Sequence, residues 1–108
     1  MLIEGIRMYK YKHRQSELHS YIRDSQGNEE MIAKSIMCAC FNCGKRFFSR
    51  DIHDWAICEG SNSKTAICPL CDTDSVIVDD GRGYIDKELL DEIKRYYKQQ
   101  IEFTRVHK

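Results

Sequence analysis

No stretch of this 108-residue sequence approaches the roughly 18 consecutive apolar residues that a membrane-spanning helix needs. Its opening residues, Met1-Leu2-Ile3-Glu4-Gly5, lack the basic-then-apolar layout of a secretory signal. The chain is therefore expected in the cytoplasm, with no membrane partner. Charge of one sign is missing too. Lys plus Arg and Asp plus Glu each total 17, a formal net charge of zero, so there is no strongly basic footprint for nucleic acid. Also absent are a Gly-rich phosphate loop, a G-x-S-x-G elbow and an H-E-x-x-H pair. An enzyme reading has little to rest on, and the expectation is a protein that is not an enzyme. The length itself is limiting, near the lower end of sizes that bury an adequate core unaided. A metal staple would be physically useful here.

Cysteine is what the chain has instead, six residues in all. Four form two C-x-x-C pairs, Cys40-Phe41-Asn42-Cys43 and Cys68-Pro69-Leu70-Cys71, on either side of a 24-residue stretch from 44 to 67. Two thiolates so spaced reach one ion because the turn curls the backbone back on itself, and Gly44 supplies the positive φ needed on leaving it. Four such thiolates make a closed tetrahedral site. The expectation is one structural Zn2+ held by Cys40, Cys43, Cys68 and Cys71. With no export signal, metal is favoured over a disulfide framework. An iron–sulfur cluster or a rubredoxin-like iron would also accept four thiolates, but nothing nearby looks built for redox chemistry. A closed four-ligand shell leaves no position for an activated water, which argues against metal-assisted hydrolysis. A thioredoxin-type pair opens a helix and occurs once, unlike this arrangement.

Two cysteines remain. Cys38 lies two residues before the first ligand, so on a strand it shares a face with Cys40, either replacing a ligand or sitting idle. Cys58, with His53, could form a second site or a nucleophile–base pair, but neither lies in a motif that positions it; a buried thiol and a surface imidazole are the plainer reading.

Around the knuckles the expected fold class is α+β. Ile6 to Lys12 alternates loosely, as an exposed strand would. Ser16 is a candidate cap for a short helix carrying Leu18, Tyr21 and Ile22, ended by Asp24-Ser25-Gln26-Gly27-Asn28. From Glu29 to Met37 the pattern fits a helical face of Met31, Ile32 and Ile36, while Ile36-Met37-Cys38-Ala39 also reads as a strand. Residues 45–48 should return as the second arm of a hairpin, with Phe47 or Phe48 facing the core. Ser49 and Asp51 suggest a helix from 50 to 57, with Ile52, Trp55 and Ala56 on one side. A loop covers 59–64, strands follow at 65–67 and 75–78, and a turn at 79–83. The clearest helix runs from 86 to 102: Asp86 is its N-cap, Ile85 and Leu90 make a hydrophobic staple, and Leu89, Leu90, Ile93, Tyr96, Tyr97 and Ile101 form its stripe. Asp91 is placed to pair with Arg95.

The run Cys40-Phe41-Asn42-Cys43-Gly44-Lys45 with Phe47, the later Cys68-Pro69-Leu70-Cys71, and the Asp51-Ile52 and Trp55 positions between them resemble small bacterial and phage zinc-ribbon proteins of unassigned function. The resemblance extends over about residues 38–100. It implies a small antiparallel sheet with two Cys knuckles plus a C-terminal helix, with Cys40, Cys43, Cys68 and Cys71 as ligands and exposed hairpins that contact nucleic acid or protein. Residues 1–37 then form an N-terminal extension and residues 38–108 the zinc-ribbon domain. Asp72 departs from the pattern, standing where a knuckle usually has Gly; it can adopt the left-handed conformation at some cost.

The function expected is a protein-docking module, a regulator or inhibitor. Eight acids between Asp72 and Glu92 (Asp72, Asp74, Asp79, Asp80, Asp86, Glu88, Asp91 and Glu92), against Arg82 and Lys87, would meet a basic protein. The alternative is nucleic-acid binding through Lys45, Arg46 and Arg50 with Arg7, Lys10, Lys12, Arg14 and Arg23, among which Tyr9, Tyr11 and Tyr21 are interleaved. Catalysis by His53 and Cys58 is the third and weakest reading.

Overall fold

The computed structural model describes residues 11–57, 60, 62–79 and 85–106. Most of the expected strand at residues 6–12 lies outside these residues, as do Cys58 and most of the turn at 79–83. Among the described residues three helices, α1 (Gln15–Arg23), α2 (Glu29–Ala33) and α3 (Lys87–Val106), accompany five short strands: β1 (Met37–Cys40), β2 (Arg46–Phe48), β3 (Trp55–Ile57), β4 (Lys64–Ala66) and β5 (Val76–Val78). The strands form two antiparallel sheets, one in the order β2-β1-β5 and the other pairing β3 with β4. The chain is α+β with small antiparallel sheets and a C-terminal helix.

β1 and β2 form the hairpin around the first knuckle, with Cys38 opposite Phe47. Phe47 faces inward and Phe48 is exposed. The arms of the second knuckle part company: β4 joins β3, whereas β5 crosses to pair with β1. The helix expected over 50–57 is replaced by the 3-10 turn Ser49–Asp51 followed by β3. An N-cap contributes only about 1 kcal/mol. Extension instead lets Trp55, Ala56 and Ile57 pair with Ala66, Thr65 and Lys64, and Ile52 and Trp55 join a buried cluster. Helix α1 begins one residue before Ser16, after an extended Arg14 without a side-chain cap.

The start of α3 follows the sequence reading. The Leu89 N–H donates to Asp86 Oδ1 at 2.9 Å, and Ile85 and Leu90, the staple pair, are both fully buried. Asp91, however, meets Lys87 at 3.4 Å, while the Arg95 guanidinium lies 5.3 Å from the centre of the Tyr11 ring.

Strand alternation gives the larger sheet two buried faces. On one face Ala39 and Ile77 meet Leu18 and Tyr21 of α1 and Leu89, Leu90, Ile93 and Tyr96 of α3. On the other, Cys38, Cys40, Val76 and Val78 meet Ile32, Phe47, Ile52, Ala66 and Cys68. The knuckles thus sit across the sheet from the long helices.

Residues before the first knuckle share both cores. Asn28, 2 % exposed, donates from Nδ2 to the Val76 carbonyl at 2.9 Å and accepts the Ala66 N–H at Oδ1 at 3.0 Å. One amide thereby joins the facing edges of the two sheets. Gly27, at φ 57°, donates to Thr65 Oγ1 at 2.8 Å and accepts from Ser63 Oγ at 2.7 Å. On the opposite side of the molecule the buried Glu92 carboxylate accepts the Lys12 and His13 N–H groups at 3.0 and 3.2 Å, and His13 Nδ1 lies 3.1 Å away.

Asn28→Ala leaves a buried carbonyl and a buried N–H unmatched, and should cost about 2–4 kcal/mol in urea denaturation of the metal-loaded chain. Burial opposes the charge on Glu92, yet the hydrogen bonds from His13 and Lys12 hold its carboxyl below the usual carboxylate range. A group depressed in the folded state stabilises fully above its unfolded value and loses that contribution as pH falls through the folded one. Glu92→Gln should destabilise the chain by about 1–3 kcal/mol at pH 7. The gap between wild type and variant should close on acidification below the usual carboxylate range, as read from urea midpoints at each pH.

Candidate metal centre

Each knuckle is shaped by the same set of backbone bonds. In the first, the Cys40 N–H donates to the Lys45 carbonyl at 2.9 Å, and the Gly44 N–H returns to the Cys40 carbonyl at 2.8 Å. In the second, Cys68 donates to Thr73 at 2.8 Å and Asp72 to Cys68 at 3.0 Å. Both turns are left through positive φ, 77° at Gly44 and 65° at Asp72. Asp72 therefore takes the left-handed conformation that its place in the motif requires. Inside these turns N–H groups aim at sulfur: Asn42 N–H reaches Cys40 Sγ at 3.3 Å, and Leu70 N–H reaches Cys68 Sγ at 3.4 Å.

Because β1 pairs with β5 and both Cys40 and Cys68 are buried against the same cluster, the two turns face one another. All four sulfurs of Cys40, Cys43, Cys68 and Cys71 lie within 4.8 Å of one another. Across the knuckles, Cys40 and Cys71 stand 3.6 Å apart, and Cys43 and Cys68 3.9 Å. Tetrahedral coordination with metal–sulfur bonds of about 2.3 Å requires sulfurs about 3.8 Å apart, which these two distances match, so the cluster could hold one ion. These cysteines and Cys38 are free of disulfides. Four thiolates around one tetrahedral ion leave no site for a bound water.

Without an ion the thiols of Cys40, Cys68 and Cys71 differ in acidity. Burial pushes Cys40 and Cys68 up. Burial also works against Cys71, but hydrogen bonds from Thr73 and Asn42 and the neighbouring Cys40 and Cys68 sulfurs outweigh it and bring the thiol down to about 6. A divalent ion would favour the ionised form of all four.

Thr73 and Asn42 were not singled out from the sequence. Thr73 Oγ1 stands 3.2 Å from Cys71 Sγ and 3.8 Å from Cys40 Sγ, and Asn42 Nδ2 lies 3.5 Å from Cys71 Sγ. Superposing the two C-x-x-C motifs would have found Thr73, because it occupies the position of Lys45. Cys38 shares the face of Cys40, as strand alternation requires, but is not one of the four clustered sulfurs. It is fully buried, 3.9 Å from Ser35 Oγ, where burial pushes its thiol up to about 11 against the Ser35 hydrogen bond. His53 is exposed, and its proposed partner Cys58 lies outside the described residues.

Comparison with protein-family models, with curated proteins and with solved structures finds no match for this chain. Among the described residues no helix is long and apolar enough to cross a membrane.

Cys40→Ser or Cys68→Ser should abolish stoichiometric metal binding, whereas Cys38→Ala should keep one ion per chain in elemental analysis. Chelation of the wild-type chain should alter the emission of Trp55, which packs on the cluster containing Cys40 and Cys68. Unchanged emission after complete metal removal would contradict a structural role for the ion.

Proposed function

We propose that this chain is a zinc-ribbon protein of bacterial or phage type that acts inside the cell as a protein-docking module, a regulator or inhibitor. One structural Zn2+ on Cys40, Cys43, Cys68 and Cys71 holds its fold. The sulfur spacing and the all-thiolate donor set support zinc, a d10 ion that accepts four thiolates in a closed tetrahedron. With all four positions taken by protein, the ion shapes the surface and leaves the contact to side chains outside it.

One observation carries the docking reading: several large apolar side chains stand exposed. Ile36 is 75 %, Ile57 79 %, Leu70 56 % and Phe48 44 % exposed, although buried apolar surface is scarce in so small a chain. Apolar side chains left in water are candidates for contact with a partner.

The acidic segment from Asp72 to Glu92 lends less support than its composition suggests. Glu92 is buried on Lys12 and His13, Asp79 pairs with Arg46 at 2.7 Å, Glu88 with Lys12 at 2.8 Å and Asp91 with Lys87. Asp86 caps α3 and Asp74 accepts from Gln26. Most of these charges are matched within the chain, so the contact moves from the acids to the apolar side chains.

Nucleic-acid binding retains one supporting feature, the exposed Phe48 ring with Lys45 and Arg50 exposed near it. Arg46, the third basic residue, bonds Asp79 and the Ile85 carbonyl.

Metal-loaded wild type and an Ile57→Ser, Leu70→Ser, Phe48→Ser variant should carry the same single zinc and give the same circular dichroism. Only the wild type should enrich a protein from lysate of the native cell. Equal capture by both, or none by either, would overturn the docking reading. Strong binding of single-stranded oligonucleotide that weakens linearly with log salt would favour the alternative.

A further inference from the structure

The clustered sulfurs form two contacts that cross from one knuckle to the other. Cys40 and Cys71 stand 3.6 Å apart, and Cys43 and Cys68 3.9 Å. In each pair one cysteine is fully buried, Cys40 or Cys68, and the other, Cys71 or Cys43, is half-buried. The two contacts share no sulfur, so both can become bonds in one chain. Two residues bridge the first pair without help from an ion. Asn42 donates its N–H to Cys40 Sγ at 3.3 Å and places Nδ2 3.5 Å from Cys71 Sγ, while Thr73 Oγ1 lies 3.2 Å from Cys71 Sγ and 3.8 Å from Cys40 Sγ. Among the described residues no side chain bridges Cys43 and Cys68 in this way.

We propose that this centre is a peroxide-sensitive switch in which cross-knuckle disulfides, Cys40 with Cys71 first and Cys43 with Cys68 second, replace the ion and keep the knuckles joined; the inference rests on the zinc reading above. The half-buried Cys71 sulfur attacks a peroxide oxygen, the O–O bond breaks and hydroxide leaves, so the sulfur becomes a sulfenic acid. The Cys40 sulfur then attacks Cys71, forming the S–S bond and displacing the second hydroxide. Two electrons pass from two thiolates to one peroxide, which with two protons leaves as two waters. A second peroxide joins Cys43 to Cys68 by the same steps. Each bond consumes two thiolates, so the chain no longer holds the ion. Bonds within a knuckle would consume them too, but would leave the two knuckles unjoined. The cross-knuckle bonds close spans of 31 and 25 residues and so constrain the unfolded chain in the ion's place.

The test treats the full zinc-loaded chain with hydrogen peroxide. Zinc release is read with a chromogenic chelator, stability by urea denaturation, and pairing by chymotryptic mass mapping, since Phe41 and Leu70 part the cysteines of each knuckle. One zinc per chain should be lost, the Cys40–Cys71 bond should appear before the Cys43–Cys68 bond, and reductant with zinc should restore the loaded form. The oxidised chain should unfold at higher urea than the reduced chain stripped by chelator. Asn42→Ala with Thr73→Val keeps all four ligands and should still load one zinc, but should form the Cys40–Cys71 bond about tenfold more slowly. The proposal is overturned if peroxide leaves the zinc bound, if the bonds map within knuckles or to Cys38, if the oxidised chain is no more stable than the stripped one, or if the double variant reacts as fast as wild type. In each of those cases a chain that loads one zinc leaves the zinc reading standing. If the reduced chain takes up no zinc, the zinc reading fails and the switch with it.

Discussion

Four sulfur atoms converge between two turns that lie far apart in sequence, and the face of the sheet beneath them is built around that convergence. The opposite face has ordinary closure, because α1 and α3 contribute Leu18, Tyr21, Leu90, Ile93 and Tyr96 over Ala39 and Ile77. The knuckle face has only three-residue strands and one short helix to cover it, and three of its nine buried residues are cysteines. A chain this short has little apolar volume left for a second full core. An ion held by the clustered sulfurs of Cys40, Cys43, Cys68 and Cys71 would supply cohesion there that side-chain packing alone would not.

The two faces are tied by polar groups placed before the first knuckle. Asn28 satisfies one backbone group on each sheet from a buried position, and Glu92 gathers the Lys12 and His13 backbone onto α3. Such groups are costly to bury unmatched and specific once matched. They hold the segment before the knuckles to a core it does not dominate by area.

Charge has a similar internal role. The acids after the second knuckle read in sequence as a surface field, but in the fold most answer a cation or a backbone N–H nearby. β2 differs, since Arg50 stands over the exposed Phe48 ring and Lys45 is exposed.

The sequence by itself determined the elements that depend on neighbours a few residues away. The knuckle turns followed from C-x-x-C spacing and Gly44; the α3 cap and staple followed from Ile85, Asp86 and Leu90; and the two C-x-x-C pairs identify the four clustered sulfurs. What depended on distant pairing was not legible. Residues 50–57 carry helix-start signals, yet pairing with β4 makes 55–57 a strand, since local propensity is weak against packing. The division of the second knuckle's arms between two sheets, the role of Asn28 and the pairing of Asp79 with Arg46 and of Glu88 with Lys12 were all decided by tertiary structure. Each is a contact between groups remote in sequence, and hydrophobic period and motif spacing carry no record of such contacts.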